Sequence, residues 1–164
     1  MAATAPQPIS PSAAPLCSIR LAAANINPQS RLATDYLNHF NEPAMLLQMV
    51  ADCPDLAEDI LAWQPRSYAE HFEHTGFRDK ELAIAAYEAA DPLVRLAFHR
   101  ACAAVEVALR EAQARLSGGS EDLAFAAPHA DLVFELIAEV TGVIHGAAAQ
   151  PSATEQAAVD ALFS

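Results

Sequence analysis

The sequence predicts an all-α protein, an irregular bundle of about five to seven helices behind a disordered N-terminal arm. Three observations point there. Apolar residues make up 53% of the chain, but much of that is alanine, which favours helix while contributing little buried area. Valine, isoleucine and threonine never gather into the alternating runs that a sheet needs. Prolines at 43, 54, 65 and 92 cut the helical pattern into pieces too short for an ideal four-helix bundle.

At 164 residues the chain has the length of one domain with one substantial core. Residues 1–24 are read as a Pro/Ala/Ser-rich arm that cannot bury enough to offset its ordering entropy. Residues 25–149 form the helical domain, and 150–164 a tail with room for a short helix edged by Val159, Leu162 and Phe163. Early prolines and the lack of an early positive charge argue against a secretory signal at the start. No run of eighteen apolar residues predicts a membrane span.

Asn27 and Pro28 are expected to open the first helix, as cap and first-turn residue. Leu32, Tyr36, Phe40, Leu47 and Val50 follow at helical spacing, interrupted by Pro43. Pro43 cannot donate to the carbonyl of His39, so the run is either a kinked helix or two helices meeting. A short helix follows from Pro54 to Trp63, with Leu56, Ile60 and Trp63 inward and Asp55, Glu58 and Asp59 outward. In "SYAEHFEHTGF", Ser67 and Glu70 form a capping-box pattern. Tyr68 and Phe72 share a face there. Gly76 is expected to end that helix in a left-handed conformation, with Phe77 folding back on Phe72.

Asp79 is the expected cap of the next helix, and Asp91-Pro92 opens the longest, to about Leu116. In the latter, Phe98, Cys102, Val105, Leu109, Ala112 and Leu116 recur at four- and three-residue steps. That seam fits a central bundle helix better than a dimerisation surface, because single-domain bundles use the same spacing; a homodimer stays open as the alternative. From about Pro128 to Ala148, Val133, Ile137, Val140 and Ile144 point inward and Asp131, Glu135 and Glu139 make an acidic outer ridge.

The formal charge is −12, with 21 acids against 9 bases and no basic cluster, which disfavours nucleic acid as a partner and leaves room for a basic protein partner. Cys17, Cys53 and Cys102 are odd in number and widely spaced, so reduced thiols in the cytoplasm are the simpler reading than a disulfide framework.

The chemistry-bearing residues are few. No histidine has a glutamate three positions before it, so the helical di-iron pattern is missing, as is His-Glu-x-x-His. There is no nucleophile elbow and no phosphate-cradling loop, and we assign no catalytic residue. Two functional readings remain. The first is a non-catalytic regulatory or protein-interaction protein of the cytoplasm. Its surface would be built from Trp63, Arg66, Tyr68, Phe72 and Phe77, since aromatics and arginine often anchor interfaces. The second is a sensor bundle in which His39, Glu42, His71 and His74 hold a transition metal. Haem is a variant of that reading, with His99 or His129 as axial ligand. Beside each stands a bland reading: the aromatics plug one end of the bundle, and the histidines are solvated or satisfied at its boundary.

Overall fold

In the computed structural model, residues 17–119, 122–146 and 161 are described. Among them are seven α-helices and no strand: α1 (Ser18–Ala23), α2 (Asn38–Met49), α3 (Ala57–Ala62), α4 (Tyr68–His74), α5 (Lys80–Glu88), α6 (Pro92–Ser117) and α7 (Ala126–Ile144). Short 3-10 turns, Thr34–Leu37 and Pro54–Leu56, lead into α2 and α3. The expectations for residues 1–16 and for the tail's apolar edge lie outside the described residues.

The scaffold is α7 packed against both α6 and α2. Helix α7 is apolar along one side because Val133, Ile137, Val140 and Ile144 recur at three and four residues, and all four are buried. Asp131, Glu135 and Glu139 are exposed, as the acidic ridge required. In α6 the seam is spent within the chain: Phe98, Cys102, Val105, Leu109 and Ala112 are all buried. The opposite side of α6 leaves Leu93, Leu96 and Val107 exposed. Asp91 caps α6 by accepting from the Leu93 amide at 2.8 Å, and Pro92 takes the first helical position, where no amide hydrogen is needed.

The segment before α2 departs from expectation twice. Residues 18–23, read as part of the arm, are helical, and Leu21 is buried, so packing extends further towards the N-terminus than the boundary at 24. Conversely, no helix opens at Asn27. Its side chain accepts from the amides of Gln29 and Ser30, which makes a turn, not a helix start. The Arg31 amide then donates to the Asn27 carbonyl, while Arg31 itself adopts a φ of 62°. A single antiparallel bridge, Ile26 to Ala33, closes this loop, and Ser30 ties it to α7 by donating to the Ile144 carbonyl. Local propensity for a cap was right; the tertiary anchor decided what the cap served.

Of the two outcomes open for the run around Pro43, one continuous helix is found, with Pro43 inside α2. The capping box of α4 is formed in full: Ser67 accepts from the Glu70 amide at 3.2 Å, and Glu70 accepts from the Ser67 amide at 2.7 Å. At the other end of α4, Gly76 is not left-handed. The helix stops at Thr75 in extended backbone, yet Phe77 still meets Phe72, ring centroids 5.1 Å apart. Asp79 precedes α5 without a side-chain capping bond.

Candidate functional site

The candidate site is built around Trp63-Gln64-Pro65-Arg66, the extended connector between α3 and α4. Its position follows from Pro43. Without an amide hydrogen, Pro43 leaves the His39 carbonyl unpaired inside α2. The indole of Trp63 supplies the missing donor, its Nε1–H reaching the His39 oxygen at 3.1 Å. Thus the proline that should have weakened α2 instead creates an acceptor that anchors the connector.

Four further hydrogen bonds hold the connector and the end of α3 in place. The amide of Arg66 donates to His39 Nε2 at 3.0 Å, and the Arg66 carbonyl accepts from the Tyr36 hydroxyl at 2.7 Å. From α6, Gln113 Nε2 donates to the carbonyls of Ile60 and Trp63 at 2.9 and 2.8 Å. His39 therefore grips the connector twice, by its backbone oxygen and by its ring.

Burial sets the electrostatics of His39. The ring is buried, its Nε2 serves as an acceptor, and its pKa is pushed down to about 4 by burial first, then by His71 and Arg66. A neutral imidazole is what the Arg66 amide requires, because a protonated Nε2 could not accept. His71 lies alongside, ring centroids 6.0 Å apart, and its Nε2 pairs with Asp35 at 3.1 Å. Tyr36 packs against both rings, 5.8 Å from His39 and edge-on to His71 at 5.3 Å, and burial drives its phenol well above the usual range.

On its solvent side the connector borders an open cleft of about 440 Å³ between α2 and α3. Pro43, Leu46 and Trp63 supply its apolar wall, and Glu42, Asp59 and Arg66 its charges. Trp63 is half-buried and stacks on His39 at 5.1 Å, with the rings 30° apart.

The residues singled out in the sequence divide between surface and core. Trp63 and Arg66 line the cleft. Tyr68 and Phe72 are buried, and Tyr68 accepts from the Ala33 amide at 2.8 Å, so both are part of the packing. Phe77 is half-buried against Phe72. As the expected surface set, the five residues therefore reduce to the cleft-lining pair, because the helical face that carries Tyr68 and Phe72 is turned inward.

For the metal set, the structure brings His39 beside His71 and puts Glu42 on the cleft with His39. His74 is exposed, with Nδ1–H donating to the Glu70 carbonyl at 2.8 Å. The Nε2 atoms of His39 and His71 are already committed to hydrogen bonds. Among the described residues no three of His, Cys, Asp or Glu come together as a metal-holding group. The two histidines considered for haem are also engaged through Nε2: His129 donates to the Ala108 carbonyl at 2.6 Å, and His99 bonds the Tyr87 hydroxyl.

Sequence reasoning missed the two residues that organise the site, Gln113 and Tyr36. Gln113 is one polar residue in a long helix, and nothing local marks it. The freed His39 carbonyl was visible in the sequence; its partner was not.

No protein-family model, curated protein or solved structure matches the chain. Among the described residues, no helix is long and apolar enough to cross a membrane.

Proposed function

We propose that the protein is a non-catalytic, regulatory or interaction protein, and that the cleft between α2 and α3 docks a short segment of a protein partner. One observation carries this reading: the connector is immobilised by bonds from α2, α6 and the Tyr36 hydroxyl, and it presents the half-buried Trp63 at an open, mixed apolar and charged cleft. A preorganised aromatic anchor lowers the ordering cost of binding. Glu42 and Asp59, on a chain of net charge −12, favour a segment that carries a basic residue beside its apolar anchor. Free thiols at Cys17, Cys53 and Cys102 are in keeping with a reducing, cytoplasmic setting.

The test is a peptide array probed with the purified chain. It pairs sequences holding Leu, Met or Phe next to Lys or Arg with matched sequences holding Asp or Glu. Selection of the basic set is expected, with loss of binding on Trp63→Ala and on Glu42→Arg, and circular dichroism showing both variants folded. Equal capture of basic and acidic sets, or capture unchanged by both substitutions, would overturn the reading. Tyr68 is unsuitable for this purpose, because it is buried and does not line this cleft.

A further inference from the structure

The connector has a second side. There, across Arg66 from the first cleft, lies a smaller cavity of about 300 Å³ against α6. Its apolar wall comes from Tyr36, Tyr68 and Phe98, whose rings pack at centroid distances of 5.3, 5.5 and 5.8 Å. Along the α6 side run His99, Cys102 and Glu106.

Glu106 is the unusual member. It is half-buried, and among the described residues no hydrogen bond or ion pair is found for its carboxylate. Burial raises its pKa, opposed by the charges of Arg110 and His99. Arg66, although it lines the same cavity, acts on Glu70 and His39 instead. Cys102 is no competing ligand or nucleophile: burial pushes its thiol up to about 12, so it stays protonated and serves as wall. His99 is held by the Tyr87 hydroxyl.

We propose that this cavity binds a small organic cation, a primary ammonium on an aromatic or compact apolar body, with the body against Tyr36 and Phe98 and the charge at Glu106. A partly desolvated carboxylate gains most from a cation that also brings its own apolar surface. The proposal is independent of peptide docking, since it uses the other side of the connector.

Benzylammonium is the probe, with benzyl alcohol and benzoate as comparators of similar shape. Each is titrated into the full chain by calorimetry and followed by amide NMR. Benzylammonium is expected to bind more tightly than benzyl alcohol and to shift resonances of Phe98, Ala103 and Tyr36. Glu106→Gln, which preserves shape at a half-exposed position, is expected to weaken it about tenfold or more, the scale of one lost charge contact. A melting curve for this variant separates loss of the site from loss of the fold. Equal binding of benzyl alcohol, preference for benzoate, undiminished binding in Glu106→Gln, or no binding by any probe would each overturn the proposal.

Discussion

His39 shows how one side chain can read as a ligand in sequence and act as a clamp in the fold. In the sequence it is a histidine one turn before a proline, with a glutamate three residues on. In the structure its Nε2 accepts from the Arg66 amide, and burial holds its pKa near 4 against 6.5 for the free side chain. The folded state thus binds the proton less well than the unfolded chain does. Between pH 6.5 and 4 the unfolded chain carries more protons, so the stability from His39 is full above pH 6.5 and is lost as the pH falls towards 4. From pH 7 to pH 5 that loss is roughly 2 kcal/mol. Urea denaturation of the wild type and of His39→Gln measures it. Glutamine keeps an acceptor for Arg66, and the variant is expected to lose that much less over the interval. Identical pH dependence in the two chains would contradict a buried, neutral His39.

At the scale of the element, α2 and the connector are one unit joined at a missing amide. Pro43 leaves the His39 carbonyl free, and Trp63 takes it. The two residues should therefore be coupled. Trp63→Phe removes the donor and strands a carbonyl, at a cost of about 1–3 kcal/mol plus lost packing. In a Pro43→Ala background the new amide can serve that carbonyl, and the same Trp63→Phe change is expected to cost about 1 kcal/mol less. A double-mutant cycle by chemical denaturation reads the difference directly; strict additivity would mean the indole bond contributes nothing. The helix ends repeat this pattern of local chemistry with a tertiary decision. Ser67 with Glu70 and Asp91 with Pro92 work as their sequences imply, because a cap needs only its own first turn. Gly76 fails as a left-handed stop while Phe77 still reaches Phe72, so the contact, and not the glycine geometry, survives in the fold.

For the whole molecule, the arrangement of α7 on α6 and α2 decides which of the many apolar residues become core. The three cysteines give a simple measure of it, since Cys17 and Cys53 are exposed and Cys102 is buried in the α6 seam. Two thiols are expected to react quickly with an aromatic disulfide reagent in the native chain. The third should appear only on unfolding, held back both by burial and by a pKa near 12. Three thiols reacting at one rate would show that the seam is not packed as described. The same packing turns Tyr68 and Phe72 inward and leaves Trp63 and Arg66 at the surface, so the cleft keeps only part of the aromatic cluster that the sequence displays.

What the sequence determined by itself is local: the helical class, the capped starts at Ser67 and Asp91, the inward stripes of α6 and α7, and the carbonyl that Pro43 cannot satisfy. Those features depend on spacing and on groups within a turn of one another. Only the tertiary structure decided that Trp63 answers Pro43, that Gln113 and Tyr36 fasten the connector, and that His39 and His71 lie side by side with their Nε2 atoms already bonded. The physical reason is that a free carbonyl or an imidazole specifies the kind of partner it needs, while which residue arrives is set by the packing of helices far apart in the chain.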